Sequence, residues 1–152
     1  MTYKRAALTT LAAFLVSEML AVAVHGFILA SDYTPFYGTL LRPKGVPSWQ
    51  FVFLPVAHLS FASALVWLFA RLRLEGSPVL QGLRLGTLGW MMGQVPLWLL
   101  WYAEQPWPGL LVVKQLGLEL LSSLIVGLTI AAVARQPGNA TGSFVRATSV
   151  SA

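Results

Sequence analysis

Residues 109–134 read GLLVVKQLGLELLSSLIVGLTIAAVA, a run of 26 positions in which Lys114 and Glu119 are the sole charges. As a helix rising 1.5 Å per residue the run would extend about 39 Å, and about 20 apolar residues already cross a hydrocarbon core of about 30 Å. It predicts a membrane-crossing helix. Three further stretches repeat the pattern. Working toward the N-terminus, Glu104, Pro106 and Pro108 mark a short hairpin, before which residues 82–103 form a second apolar stretch. Gly82, Gly86, Gly89 and Gly93 recur in it at spacings of four, three and four, which places small residues on one helix face and predicts a packing seam. Residues 49–70 run from Trp49 to a stop at Arg71 and Arg73, with Pro55 expected to bend that helix in its first half. Residues 6–30 follow Lys4 and Arg5. Ala21-Val22-Ala23 imitates a signal cleavage site, but the apolar stretch outruns a signal core of about 7–15 residues and contains Glu18.

The whole chain fits this division. Its 152 residues are 57% hydrophobic and 10% charged, with a mean hydropathy of +0.71. Ordinary soluble domains sit near 45–50% apolar and about 25% charged. The reading is all-α: a polytopic integral membrane four-helix bundle with spans at about 6–30, 49–70, 82–103 and 109–134. Residues 136–152 are Gly-, Ser- and Thr-rich and are expected to be a disordered tail. The loop of residues 31–48 carries Asp32, Pro35, Gly38, Pro43, Gly45 and Pro47, enough turn formers for an ordered connection.

The net charge of +5 is distributed as topology, not as a nucleic-acid face. Lys4, Arg5, Arg71, Arg73, Arg84, Arg135 and Arg146 fall on one side, against Arg42, Lys44 and Lys114 on the other. Basic residues stay inside, so both termini are expected in the cytoplasm and the chain in a cell inner membrane. Trp49, Trp98, Trp101, Tyr102 and Trp107 then fall at the outer interface, where amphipathic rings anchor. The absence of cysteine excludes disulfides, thiolate metal sites and thiol redox chemistry.

Ionisable groups inside apolar spans are costly unless paired or wetted, so they are the candidates for function. Glu18 and His25 are seven residues apart on one helical stripe, which continues to Asp32. Gln115, Glu119 and Ser122 share a face of the last span; His58 lies about 13 Å below Trp49, and Gln94 stands near the middle of the third span. These depths predict one polar cluster, open outward, with Glu18, His25, His58, Gln94, Gln115 and Glu119 as ligand-binding candidates. Glu18 and Glu119 at similar depth could share a proton. The plainer alternative is that these groups hydrogen-bond across helices and specify the bundle without chemistry. Lys114 reads as a snorkelling residue.

Two ligand classes follow. Neutral imidazole is the commonest transition-metal ligand, and helix bundles hold cofactors between facing helices, so His25 and His58 are candidate axial ligands of a haem or ligands of a metal ion. Against that, their depths differ by about 6 Å, and neither belongs to a Glu-x-x-His pair. The other class is a small apolar or anionic ligand, drawn by Arg42, Lys44 and Lys114 and stacked on the tryptophan rim. No nucleophile–base motif, phosphate loop or dinucleotide fingerprint occurs, so the reading leans away from an enzyme and toward a binding or accessory component. Its partners are the bilayer itself and a second copy or a larger membrane complex.

Two local resemblances add to this. His25-Gly26-Phe27-Ile28-Leu29 with Asp32-Tyr33, and Val66-Trp67-Leu68-Phe69 before Arg71, resemble the small four-span bacterial membrane proteins of unassigned function, which implies the same fold and no catalytic residues. Leu41-Arg42-Pro43 through Pro47-Ser48-Trp49, then Phe53-Leu54-Pro55-Val56, is similar to the loop and second helix of the tryptophan-rich sensory protein family, five-span binders of tetrapyrroles and sterols. That similarity ends near Trp67. The fifth span and the Asn- and Trp-rich later helices of that family have no counterpart here.

Overall fold

A computed structural model describes residues 1–46, 48–72 and 74–135; the tail expected at 136–152 lies outside the described residues. Every regular element in it is helical. Helix α1 (Tyr3–Ala21) runs on through a π-helical segment, Val22–Ile28, into the single turn α2 (Ala30–Tyr33). A 3₁₀ turn at Trp49–Val52 leads into α3 (Phe53–Arg71). Helix α4 (Pro78–Gly89) continues through a second π segment, Trp90–Gln94, into α5 (Val95–Glu104), and α6 (Gly109–Ala134) is the last helix of the described residues.

Three of the resulting rods, Tyr3–Ile28, Trp49–Arg71 and Gly109–Ala134, are long and apolar enough to cross a membrane. Within their most apolar windows only 17%, 17% and 28% of residues are buried inside the protein, so most of that apolar surface points outward. The fourth rod, Pro78 to Glu104, is equally continuous, but Thr87, Gln94, Pro96 and its glycines dilute its apolar character.

Local chemistry explains the ends. Ser77 caps α4 by accepting from the Leu80 N–H at 3.3 Å, and Pro78 fills the first helical position, where its missing N–H costs nothing. Pro55 does not bend an established helix as the sequence suggests. The chain enters through 3₁₀ geometry, α3 starts at Phe53, and Pro55 falls in its first turn, where no backbone bond is lost. At the other end of the molecule Arg5 Nε donates to the Val133 carbonyl at 3.2 Å, satisfying an acceptor in the last turn of α6.

Helix α6 is the axis, with α4 and α1 packed along it and α3 against α1. The glycine seam accounts for the closest approach. A Cβ on Gly82 would lie 2.7 Å from Leu128 Cα, and one on Gly86 2.7 Å from Leu124 Cα, so backbone meets backbone. Gly127 answers from α6: a Cβ there would lie 2.7 Å from Gly86 N. Gly89 and Gly93 look elsewhere, toward the Leu65 and Phe61 side chains of α3, so the four glycines serve two neighbours and not one. Around this seam Ala13, Ala62, Leu65, Val66, Leu85, Val126 and Ile130 form an apolar core.

A second core lies at the Gly109 end of α6, made of Val24, Leu29, Tyr33, Trp98, Trp107, Leu111 and Val112. Residues 30–41 fold over it as a cap. Gly38, with φ of 82°, supplies the turn that lets the Gly38 N–H donate to the Leu41 carbonyl at 2.8 Å. Phe36 packs on Trp107 at 5.2 Å between ring centroids, and Trp107 reaches Trp98 at 6.4 Å. The expected aromatic rim thus divides. Trp98 and Trp107 turn inward and are buried, while Trp49, Trp101 and Tyr102 stay exposed.

Candidate functional site

The candidate residues meet where the π segment of the first rod, the cap and α6 converge. His25 sits in that π segment. Its i→i+5 bonding widens the helix and reduces the rotation per residue below the α value, and such segments recur at functional sites. In consequence the Glu18–His25 stripe splits. Glu18, still on α-helical geometry, faces α3, where His58 Nδ1–H donates to its Oε1 at 2.7 Å. His25 turns instead to α6 and pairs Nε2 with Glu119 Oε1 at 3.1 Å. One cluster becomes two carboxylate–imidazole pairs, stacked along the first rod and directed at different partners.

The two pairs are built differently. His58 and Glu18 have side chains about equally exposed, at 29% and 30%, and their hydrogen bond is to each other. The His25 pair is part of a longer chain. Its Nδ1 lies 2.7 Å from the Tyr33 hydroxyl, the two rings stack at 6.0 Å, and Gln115 donates its side-chain N–H to the same hydroxyl oxygen. Burial, reinforced by the nearby Glu119 carboxylate, pushes the Tyr33 phenol well above its ordinary range, so Tyr33 keeps its proton.

Those partners fix the proton positions. Tyr33 oxygen already accepts from Gln115, so the one hydrogen of Tyr33 goes to His25 Nδ1, which must present its lone pair. The imidazole hydrogen is then on Nε2 and is donated to Glu119. The chain reads Gln115 N–H to Tyr33 O–H to His25, and His25 N–H to the Glu119 carboxylate. One atom is left out: Gln115 Oε1 is buried and accepts from no group among the described residues, in a side chain that is wholly inside the protein. A buried acceptor without a donor costs about 1–3 kcal/mol.

Beside this chain, Lys114 Nζ donates to Asp32 Oδ1 at 2.9 Å and to Oδ2 at 3.0 Å. Lys114 is therefore an ion-pair partner and not a snorkelling residue. Asp32–Lys114 and Tyr33–Gln115 are adjacent rungs that pin the cap to α6. Gln94, at the end of the second π segment, makes no hydrogen bond to this chain among the described residues. The rungs above α6 are extended instead by the Trp90 indole, which donates to the Leu116 carbonyl at 2.9 Å.

Sequence reading found both histidines, both glutamates and Gln115, but not Tyr33. Its signal was its position next to Asp32 and two residues before Pro35, where a helix is ending and a side chain can turn back. Fit to a cofactor can be judged from the same contacts. Both ring nitrogens of His25 are engaged, so axial ligation of a haem would break its bond to Tyr33 or to Glu119. Among the described residues no three His, Asp or Glu side chains gather as a metal-ligand set. As placed, His25 has both ring nitrogens bonded, whereas His58 is bonded through Nδ1 alone. Arg42, Val46, Ser48, Trp49 and Gln50 line a shallow depression of about 260 Å³ in the loop before α3.

Comparison of the chain with protein families, with characterised proteins and with solved structures gave no match.

Proposed function

We propose that this chain is a multi-pass inner-membrane protein, a four-helix bundle with both termini cytoplasmic, that acts as a proton-linked binding component and not as an enzyme. The observation that carries the reading is the pair of carboxylate–imidazole contacts at two levels of the first rod, Glu18–His58 and Glu119–His25. In hydrocarbon, unpaired ionisable groups are expensive, and these are held in pairs able to exchange a proton. Imidazole is the side chain that changes charge near neutral pH. The basic loop carrying Arg42, Lys44 and the exposed Trp49 holds a depression whose chemistry suits a small anionic or amphipathic ligand. The fourth rod joins the bundle through its backbone seam with α6, which offsets its lower apolarity.

The test is ¹⁵N spectroscopy of the two histidines in lipid bilayers over roughly pH 5–8, where an imidazole exchanges its proton. The expected result is titration of both rings, with Glu18→Gln altering His58 alone and Glu119→Gln altering His25 alone. Two rings that stay silent across that range would end the proton-linked reading. Mass spectrometry of the protein released from its native membrane addresses the binding part: a co-purifying small molecule is expected, reduced in Arg42→Ala/Lys44→Ala.

A further inference from the structure

We infer that Gln115 is a positioning residue whose side-chain amide turns over when His25 takes up a proton, reversing the direction of the hydrogen-bond chain that links α6, the cap and the first rod. The inference rests on the proton-linked reading of His25 and deepens it.

Consider what protonation of His25 does to its neighbours. In the neutral arrangement Nδ1 is an acceptor and takes the Tyr33 hydrogen. In the imidazolium both ring nitrogens carry hydrogen, so Nδ1–H must donate to the Tyr33 oxygen. Tyr33 then has to send its own hydrogen elsewhere, and Gln115 is the remaining group within reach. As it stands Gln115 presents N–H, a donor facing a donor. A half-turn of the amide replaces N–H with Oε1, which is the atom now buried without a partner. After the turn the links run His25 Nε2–H to Glu119, His25 Nδ1–H to Tyr33, and Tyr33 O–H to Gln115 Oε1, while the amide N–H group takes the buried position that Oε1 held.

The balance is one proton taken from water and held at Nδ1. Tyr33 keeps one proton throughout and redirects it; Glu119 stays a carboxylate and faces a cation where it had faced a neutral ring. The other charged groups nearby are already committed. Asp32 on α2 pairs with Lys114 on α6, and Glu18 on α1 pairs with His58 on α3. Tyr37 of the cap lies near Tyr33 but hydrogen-bonds neither it nor His25 among the described residues. Gln suits position 115 because its amide is neutral and offers either a donor or an acceptor to Tyr33 by rotation alone. Leucine would offer neither, and glutamate would add a charge. Since Gln115 belongs to α6 and Tyr33 to the cap, the change in His25 is registered in the contact between them.

The experiment follows the Gln115 side-chain amide and the His25 ring by ¹H–¹⁵N spectroscopy of the full-length protein in lipid nanodiscs as pH is lowered. Neutral His25 is expected to carry its hydrogen on Nε2, and the Gln115 amide signals are expected to shift with the same midpoint as the ring. In Tyr33→Phe, His25 is expected to go on titrating while the Gln115 signals stop following it. A Gln115 amide unchanged through the midpoint of a titrating His25 overturns the inference and leaves the proton-linked reading standing. So does a neutral ring with its hydrogen on Nδ1. A His25 that never titrates removes both. The first two readouts need only the wild-type chain, so they decide the matter even if the variant does not fold.

Discussion

At Gly82 and Gly86, α4 meets α6 backbone to backbone, whereas one end of the same α6 meets the cap and the first rod through Glu119, Gln115 and Lys114. The first contact depends on shape, the second on where hydrogens sit. Shape is insensitive to pH and salt and fails abruptly when a methyl group is added. Hydrogen bonds between helices in a bilayer are worth about 0.6 kcal/mol on average and at most about 1.7, but they can be rearranged. One helix thus combines a fixed joint with an adjustable one.

The sharpest way to break that contrast is to add bulk at the fixed joint. Gly86→Leu would place its Cβ 2.7 Å from Leu124 Cα, so the helices must separate. A loss of about 3 kcal/mol is expected in reversible unfolding from mixed micelles. Gly117→Leu, at a position with open space beside it, is the control and should change stability by less than about 0.5 kcal/mol. Equal effects at the two glycines would mean that the seam is not what holds α4 on α6. Next in size is Glu119→Ala, which strips His25 Nε2–H of its acceptor; about 1–2 kcal/mol is expected, more than for Glu18→Ala, because the Glu119 side chain is 16% exposed against 30% for Glu18.

Alkaline pH probes the adjustable joint from another side. Tyr33 has a folded-state value raised above the ordinary 10.0, so unfolding lowers it and the unfolded chain gives up its proton first. Its contribution is therefore complete below about pH 10 and declines as pH rises beyond that. Wild type is expected to lose stability above about pH 10 more steeply than Tyr33→Phe; parallel curves would contradict the burial of that hydroxyl. The smallest effect belongs to Asp32→Asn. The ion pair with Lys114 is partly exposed, so a change below about 1 kcal/mol that shrinks further in high salt is expected.

Much of this was legible in the letters. Apolar run length located Trp49–Arg71 and Gly109–Ala134 to within a residue or so, because each run is bounded by basic residues or prolines. The glycine spacing announced a seam, though Gly127 on the opposite helix went unread, since a single small residue has no period. The polar groups expected in one cluster are placed in two pairs, with Gln94 in neither among the described residues. Reading Glu18 and His25 as one stripe assumes α-helical rotation at every step, and the π segment from Val22 onward breaks that assumption. Nothing in Val22-Ala23-Val24 marks the change, and Gly26 is a weak hint. Tyr33 was missed for a related reason: its approach to His25 depends on a turn at Leu29, which contains no glycine or proline.

The seam at Gly82, Gly86 and Gly127 also governs what a small event at Gln115 can reach. Two rods whose main chains touch cannot slip or roll past each other as rods separated by long side chains can. They behave as one girder. A displacement delivered to α6 from the cap is therefore expected to carry the fourth rod with it, toward the end near Pro78 and Ala134.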